Sequence, residues 1–380
     1  MPTRRAALVS TAAAALLAAA APFRAAAEGP ETAETSAGPV TVTRMASGLD
    51  IPWSIGFLPD GSILVTERGG RLLRLADGAA TPVAGVSAVW AQGQGGLFDV
   101  VPARDFAQTR TLFLSFAEPR QGGAGTALAA GRLSPDATRL EDVAVIFRQA
   151  EASTSGQHFG GRVVEARDGT LFLTIGDRGE RDAAQDLGSH RGKVIRLARD
   201  GAVPSDNPFV GRAGARPEIW SYGHRNDQGA ALGLDGALWT VMHGPRGGDA
   251  VHRPQAGRNY GWPVVSYGAE YATRRPVGAR SVPGVEQPLH YWTPSIAPSG
   301  LAVCSGRLFP AWRGQLLVGG LQSHAISRLE GDASGVRERE RLLEGRHLRI
   351  RDVREAPDGA IWFASEGEGA LYRVAPALGG

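Results

Sequence analysis

The sequence predicts an all-β chain folded as a β-propeller, and three observations lead to this fold class. A short pattern, Asp-Gly followed by alternating apolar residues, recurs along the chain, and Asp-Gly before a β-rich run is a strong hairpin signal. Its copies begin at Pro59, Arg167, Leu234 and Pro357, with a degenerate copy at Ala311. Sustained helical periodicity is nearly absent, and residues 182–190 are the best short exception. No linker is evident after Ser47, so we assign the repeats to one domain.

A second apolar run follows three of the copies and predicts the partner strand of each hairpin. These runs begin at Gly70, Gly192 and Gly369. Repeated antiparallel hairpins in one long domain indicate radial repetition, because a propeller leaves only short, protected sheet edges. The copies are spaced irregularly, so their spacing does not give the number of blades. Loops from different blades converge at one end of a propeller, and motifs far apart in the chain would therefore form one site.

The first residues predict an export signal. A pair of arginines is followed by an Ala- and Leu-rich run and by a small-residue cleavage site at Ala25–Ala27. The run is short and rich in alanine, which argues against a membrane anchor, although a retained anchor helix is the alternative. We expect residues 1–27 to be a signal peptide, 28–40 a flexible segment and 41–376 a single propeller domain. The protein would then be periplasmic or secreted, with no stable membrane insertion after signal removal.

Charge and cysteine content narrow the function classes. The chain of 380 residues carries 41 basic and 38 acidic residues, and residues 1–27 hold three arginines and no acid, so the remainder is close to neutral. Without a basic tract, nucleic acid is not an expected partner. Cys304 is the only cysteine, which excludes an intramolecular disulfide and a cysteine-based metal site.

The stretch 217–263 concentrates polar and turn-forming residues around one predicted strand. Arg225, Asn226 and Gln228 offer a planar fork of donors and two amides, a set suited to carboxylates and quinone-type oxygens. The Gly244–Pro245 corner presents two carbonyl oxygens, the ligand type that calcium prefers. An anionic ligand and a cation would share such a pocket. The alternative is a surface salt-bridge arginine beside a plain turn.

Two other segments carry candidate functional groups. His158 stands in a Gly-rich loop, and a neutral imidazole is the ordinary side-chain base near pH 7. A structural histidine is the alternative. Arg349 and Arg351 would share one face of a strand and attract a polycarboxylate, while a solvated basic strand is the alternative.

Three motifs resemble a known family. GHRNDQG (223–229), HGPRGGD (243–249) and GRNYGWP (257–263), in this order and spacing, resemble the soluble pyrroloquinoline-quinone (PQQ) dependent glucose/sorbosone dehydrogenase family, in its aldose sugar dehydrogenase branch. The resemblance extends from about Gly48 to Val374. It implies six four-stranded blades and oxidation of aldose sugars at C1 to the lactone. It also implies PQQ and calcium as cofactors and an artificial or periplasmic electron acceptor.

The resemblance implies roles for particular residues. His158 matches the general base, which takes the proton of the C1 hydroxyl while hydride passes to the quinone. Gln94 matches a glutamine near substrate and cofactor, although a plain inter-blade turn is the alternative. Asp177 and Arg178 lie in a stretch similar to the family's Gly-Asp-Arg-Gly, or they simply pair with each other. The implied cofactor contacts are Arg225, Asn226, Gln228, Arg349, Arg351 and Gln94 for PQQ, and the carbonyls of Gly244 and Pro245 for calcium.

The sequence departs from the family pattern at several positions. Met242 and Ala250 stand where relatives often carry glutamate, and without the glutamate at 250 a second, structural calcium beside Tyr260 is not expected. Gln322 stands where relatives use a lysine against PQQ, so we expect PQQ affinity to fall by about 1–3 kcal/mol. Gln157 replaces an acid that precedes the histidine in some relatives. The absence of that lysine supports one alternative, a sugar- or partner-binding propeller without redox activity. A calcium-dependent propeller lactonase is the other alternative, but it would need acidic metal ligands along the axis, and the absence of glutamate at 242 and 250 argues against it.

Overall fold

The computed structural model describes residues 29–377, and antiparallel strands make up nearly all of its regular structure. The N-terminal strands are β1 (Glu31–Ala33) and β2 (Val40–Ala46). The first three blades contain β3 (Pro52–Phe57), β4 (Ile63–Glu67), β5 (Leu72–Ala76), β6 (Ala79–Val83), β7 (Leu97–Pro102), β8 (Thr111–Arg120), β9 (Gly123–Leu133), β10 (Leu140–Arg148), β11 (Val163–Glu165), β12 (Leu171–Ile175), β13 (Lys193–Leu197) and β14 (Ile219–Tyr222). The remaining strands are β15 (Asp227–Leu232), β16 (Leu238–Met242), β17 (Asp249–His252), β18 (His290–Trp292), β19 (Pro298–Val303), β20 (Leu316–Gly320), β21 (Ile326–Asp332), β22 (Gly335–Leu342), β23 (Ile350–Glu355), β24 (Ile361–Ser365) and β25 (Ala370–Pro376).

Helical structure in the described residues is limited to three short segments. These are α1 (Phe106–Thr109) and two 3-10 helices, Arg181–Ala184 and Pro310–Trp312. The segment at 181–184 overlaps the stretch 182–190 that showed the best helical periodicity. No helix among residues 29–377 is long and apolar enough to cross a membrane.

The sheets form a closed ring of six blades. The first strands of successive blades contact one another all the way around, in the order β3, β7, β11, β15, β19, β23 and back to β3. Five blades are four-stranded antiparallel sheets, and the sixth has the order β1-β2-β25-β24-β23. The prediction of an all-β, six-bladed propeller is therefore confirmed, with one extra strand in the closing blade.

The two ends of the chain close the ring within that sixth sheet. Strand β2 pairs with β25 in antiparallel register, with Val40 opposite Pro376. Strand β1 adds to the outer edge of β2, with Ala33 opposite Val40. Residues 31–33 of the segment predicted to be flexible thus form part of a sheet. The predicted signal peptide, residues 1–27, lies outside the described residues.

The recurring Asp-Gly pattern forms the same turn in four blades, between the first and second strands. In each copy the aspartate Oδ1 accepts a hydrogen bond of 2.9–3.0 Å from the backbone N–H two residues later. The following glycine has φ between 84° and 92°, a left-handed conformation that glycine adopts without strain. The four turns are centred on Asp60-Gly61, Asp168-Gly169, Asp235-Gly236 and Asp358-Gly359.

An ion network near the axis joins the inner strands. Arg162, only 1% exposed, places Nη1 3.3 Å from Asp99 Oδ1 and 3.1 Å from Asp352 Oδ1. Arg354 contacts the same carboxylates at 2.7 and 2.9 Å. Two cations therefore balance two buried anions, which buried charges require to avoid a large desolvation cost. The network connects β7, β23 and the residue that precedes β11.

Candidate active site

Most of the residues selected from the sequence lie in loops at one end of the ring, whereas Gln228 and Arg351 lie near the start of strands β15 and β23. Some loops lead into the first strand of a blade and others follow the second strand, and these loops share one end because the two strands run antiparallel. The loops entering first strands carry Gln94, His158, Arg225, Asn226 and Arg349. The loops leaving second strands carry Asp177, Gly244, Pro245, Gln322 and Glu366.

His158 is held by three other loop residues. Its Nδ1 lies 2.6 Å from Asp177 Oδ1. Its backbone N–H donates to Gln94 Oε1 at 2.8 Å, and its φ of 54° places it in the left-handed region. Two residues later, the Gly160 N–H donates to Asn226 Oδ1 at 3.0 Å. Gln94 and Asn226, both selected from the sequence, thus fix the loop that presents the imidazole.

The surroundings of His158 favour its neutral form. Burial lowers its pKa below the ordinary value, the hydrogen bond with Asp177 acts in the opposite direction, and the Arg225 guanidinium lowers it further. Burial acts against ionisation of Asp177, but the hydrogen bond with His158 leaves the pKa of that carboxyl below its ordinary value. An ionised carboxylate can only accept, so His158 donates from Nδ1. Its Nε2 is then the nitrogen able to take up a proton.

Asp177 and Arg178 do not pair with each other in the described chain. The Arg178 guanidinium instead donates to the carbonyl oxygens of Ser155 and Gln157, each at 2.5 Å. Its Cζ also lies 3.3 Å from the centroid of the Phe159 ring. Arg178 therefore holds the loop that carries His158, and Asp177 is left to contact the imidazole. The simple pairing of these two neighbours that the sequence also permitted is wrong.

Arg225 acts electrostatically on His158, Asp177 and His243. It is 5% exposed, and its Nη1 donates to the His243 carbonyl at 3.3 Å. Burial, with the Arg225 and Arg351 guanidiniums, lowers the pKa of His243 to about 3. Among residues 29–377, Arg225 Nε and His243 Nε2 are buried without a hydrogen-bond partner. Such groups are costly to leave unpaired, so both are candidates for contact with a ligand or with water.

Arg349 and Arg351 converge on one carboxylate. Glu366 accepts from Arg349 Nε at 3.1 Å through Oε1 and from Arg351 Nε at 2.7 Å through Oε2. Arg351 also donates from Nη1 to Gln228 Oε1 at 2.6 Å. The strand begins only at Ile350, and Arg349 precedes it with φ 52°, so the two arginines meet through Glu366 rather than through strand alternation. One net positive charge remains for an anionic ligand.

Asp249 fixes the Gly244–Pro245 corner through hydrogen bonds to the backbone. This buried carboxylate accepts from the Gly244 N–H at 2.9 Å and, through its other oxygen, from the backbone N–H of Ile296 at 2.8 Å. A Cβ at position 244 would lie 2.2 Å from the Gly247 carbonyl oxygen, so only glycine fits there. No hydrogen bond from residues 29–377 reaches the carbonyl oxygen of Gly244 or Pro245. Both oxygens are available to a cation.

A cavity of about 860 Å³ opens beside this corner. Its size lies within the range of roughly 300–1,000 Å³ found for pockets that bury small organic ligands. The charged side chains that line it are Arg246 and Arg274, and Tyr271 forms part of the same wall. Tyr271 and Arg274 belong to the long connection between β17 and β18.

Gln322 departs from the family pattern, and Tyr260 is the residue beside which a second calcium is not expected. Gln322 lines the same cavity as Gly244 and Pro245. The Tyr260 hydroxyl donates to the Arg253 carbonyl at 2.7 Å and accepts from the Gln255 N–H at 2.9 Å. No group of three or more His, Cys, Asp or Glu side chains in the described chain is arranged to hold a metal ion.

Sequence reasoning did not identify several residues of the site. Trp262 donates from Nε1 to Asp177 Oδ2 at 2.7 Å, and Glu366 bridges the two arginines. In the sequence, His243 stands out only as the first residue of the HGPRGGD motif. The position of Asp177 in the sequence does predict its contact with His158. Asp177 follows the second strand of its blade and His158 precedes the first strand, and these two positions lie at the same end of the blade because the strands are antiparallel. Trp262 and Glu366 gave no such signal, since their contacts depend on how blades and long loops pack.

Comparisons with known proteins place the chain in a family. A family model described as glucose / sorbosone dehydrogenase matches residues 49–373. The aldose sugar dehydrogenase YliI of Escherichia coli (strain K12) is 44% identical over 345 residues, covering 89% of this chain and 93% of that protein. The apo-form crystal structure of the E. coli soluble aldose sugar dehydrogenase has a TM-score of 0.86 at 43% identity, covering 89% of this chain and all of that chain (100%). The PQQ-bound form of an aldose sugar dehydrogenase from Streptomyces coelicolor shares the fold, with a TM-score of 0.74 at 24% identity over 91% of this chain and 99% of that chain. The chain belongs to the glucose/sorbosone dehydrogenase family.

Proposed function

We propose that this protein is a PQQ-dependent aldose sugar dehydrogenase that oxidises the sugar C1 to the lactone. The observation that carries the proposal is the contact of 2.6 Å between His158 Nδ1 and Asp177 Oδ1. This pair lies at the same end of the ring as Arg225 and the Gly244–Pro245 corner. Membership of the glucose/sorbosone dehydrogenase family and the similarity to an E. coli protein named aldose sugar dehydrogenase support oxidation of an aldose.

His158 is the proposed general base. Oxidation of a cyclic aldose at C1 removes a proton from the hydroxyl and a hydride from the carbon. The neutral Nε2 accepts the proton, and the imidazolium that forms is stabilised by the Asp177 carboxylate on Nδ1. Because burial keeps the imidazole neutral, it is ready to act as a base at neutral pH. Gln94 and Asn226 keep its loop in place, which holds the base at one position relative to the substrate.

The residues present fit both cofactors. Arg225 has an unused, buried Nε, and the Arg349–Arg351–Glu366 group retains one positive charge, a combination suited to an anion with several carboxylates. The unpaired carbonyl oxygens of Gly244 and Pro245 suit calcium. When bound, PQQ would supply the acceptor for the C1 hydride, and calcium would supply Lewis-acid chemistry beside it. Gln94, Asn226 and Gln228 hold neighbouring side chains and loops in this arrangement.

We further propose that the protein works outside the cytoplasm and passes electrons to a periplasmic or artificial acceptor. The basis is the signal-like composition of residues 1–27. Comparison of the N-terminus of protein recovered from the periplasm with the encoded sequence tests export. An N-terminus near residue 28 supports it, and an intact residue 1 on a cytoplasmic protein refutes it.

Reconstitution tests the enzymatic proposal. Purified apoprotein is mixed with PQQ and calcium, and the quinone absorbance is recorded before and after a panel of aldoses is added. We expect a bound-quinone spectrum that is bleached by aldoses, and a His158→Gln variant that binds PQQ but is bleached far more slowly. If no quinone binds at micromolar concentrations, the proposal fails.

A binding propeller without redox activity is the second candidate, and Gln322 is the observation that favours it. This residue lines the cavity where relatives carry a lysine against PQQ, and an amide cannot supply the same charge. Sugar binding measured by calorimetry in the absence of PQQ separates the two. Tight sugar binding together with a failure to bind quinone would support the binding module.

A further inference from the structure

Trp262 occupies an unusual position next to the proposed base. Its indole Nε1–H donates to Asp177 Oδ2 at 2.7 Å, while the other oxygen, Oδ1, faces His158 Nδ1 at 2.6 Å. Trp262 is 1% exposed and Asp177 is fully buried. One carboxylate thus bridges an indole and an imidazole within the protein interior, where hydrogen bonds are electrostatically stronger than in water.

The indole is fixed by contacts that are independent of Asp177. The Trp262 backbone N–H donates to the Gly223 carbonyl at 2.8 Å, and its carbonyl accepts from Gln185 Nε2 at 2.7 Å. The guanidinium carbons of Arg225 and Arg181 lie 5.3 and 5.5 Å from the ring centroid. These contacts fix the backbone of Trp262 and flank its ring, and the burial of the side chain leaves the indole little room to turn its N–H away from the carboxylate.

A hydrogen bond to one carboxylate oxygen reduces the negative charge available to the other. The proton affinity of an imidazole depends on that charge, because the carboxylate stabilises the imidazolium. The charged and titratable groups that face His158 or Asp177 are Arg225, Arg178, Arg181 and His243. Each of these would remain in place if only the indole N–H were removed.

We propose that Trp262 is a positioning residue that tunes the candidate base: its N–H draws charge from Asp177 and so limits how strongly His158 holds a proton. The inference rests on the proposed function, because it assigns a role relative to the proposed base. A base that released its proton too reluctantly would turn over slowly, so moderation of the Asp177 charge serves the reaction. A merely structural tryptophan would affect stability and leave the titration of His158 unchanged.

The test replaces the indole by a ring that lacks the donor. Trp262→Phe keeps an aromatic ring beside Arg225 and removes the N–H. Trp312→Phe is the matched control, because Trp312 is also 1% exposed and also donates from Nε1, to Ser36 Oγ at 3.0 Å, far from the site. The readout is the pH titration of the His158 ring resonance, measured by NMR on the histidine-labelled apoprotein and assigned with a His158→Gln variant.

We expect Trp262→Phe to raise the titration midpoint of His158 by roughly half to one pH unit, the equivalent of one hydrogen bond, and Trp312→Phe to leave it unchanged. An unchanged midpoint in folded Trp262→Phe overturns the inference. If that variant does not fold, the test uses the wild-type protein. We then expect the resonance of the Trp262 indole N–H to shift with pH at the same midpoint as the His158 ring. An indole resonance that does not respond to the titration of His158 overturns the inference. Because these readouts need no turnover, a protein that shows the shift but never oxidises sugar refutes the proposed function alone.

Discussion

Asp177→Asn provides the sharpest test of the proposed base. The substitution keeps the shape of the side chain and removes the charge that faces His158 Nδ1 across 2.6 Å. In the proposed mechanism, the carboxylate stabilises the imidazolium that forms when His158 takes the C1 proton. Hydrogen bonds to charged groups contribute about 1.5–3 kcal/mol. Because 1.36 kcal/mol corresponds to tenfold in rate, we expect kcat to fall by roughly 10- to 150-fold.

The pH dependence of the same variant adds a signed prediction. Asp177 raises the pKa of His158 against the effect of burial, so its removal lets the pKa fall further. At acid pH the proposed base is protonated and inactive, so kcat/KM falls there. For Asp177→Asn, we expect this fall to occur at a lower pH than in the wild-type protein. Trp262→Phe should move it to higher pH, which makes the pair of variants diagnostic.

The assay is steady-state dye reduction by the PQQ- and calcium-loaded enzyme from acid to neutral pH. The PQQ dissociation constant is measured in parallel, and we expect it to change little. Asp200→Asn is the control, because Asp200 is exposed and only accepts from the Ala202 N–H at 3.0 Å. A kcat for Asp177→Asn equal to that of the control, with an unshifted acid limb, would refute the role of the pair.

Three further variants test other parts of the site and fold. Gly244→Ala places a Cβ 2.2 Å from a backbone oxygen, so we expect calcium affinity, measured by calorimetry, to fall at least about tenfold, while Gly69→Ala, whose Cβ has no neighbour closer than 3.8 Å, should not change it. Gln322→Lys adds a charge to the cavity wall and should tighten PQQ binding about tenfold or more by fluorescence titration, whereas Gln322→Glu should weaken it, and the opposite order would contradict the placement of the cofactor. Burial lowers the pKa of His252 from its ordinary value near 6.5 to about 3. Between these two pH values, His252 binds a proton in the unfolded chain but not in the folded one. The free energy of unfolding therefore falls as the pH drops from about 6.5 to about 3. His252→Phe should lessen that loss in urea titrations at pH 7 and pH 4, and an unchanged pH dependence would show that His252 does not contribute.

Most of the fold was accessible from sequence because its turns are local. The four Asp-Gly copies form turns in which an aspartate bonds the backbone two residues later, so the signal needs no tertiary information. The number of blades was not accessible in this way. Blade two uses the short helix α1 in place of an Asp-Gly turn, and blade five uses the 3-10 helix Pro310–Trp312. The count of six came from resemblance and is confirmed by the ring of inner-strand contacts.

Only part of the candidate site could be predicted from the sequence, because the contacts between its side chains depend on how distant segments of the chain pack together. His158 and Asp177 are 19 residues apart and meet across one blade. The sequence offered Asp177 a nearer partner in Arg178, but adjacent residues leave a strand end in different directions, and Arg178 turns to backbone carbonyls instead. Glu366 was missed because only its contacts show that it neutralises one of two arginines.

Gln228 links the candidate cofactor groups to the buried axis of the ring. Its side-chain oxygen accepts from Arg351, and its backbone carbonyl accepts from Arg162 Nε at 3.1 Å. Arg162 in turn contacts Asp99 and Asp352 on the inner strands of two other blades. A loss of any partner in a buried ion network is strongly destabilising, so this network resists relative movement of the blades. The proposed base His158, the Gly244–Pro245 corner and the Arg349–Arg351 pair come from the third, fourth and sixth blades. Their mutual geometry depends on that resistance, and the axis is therefore part of the structure that positions the site.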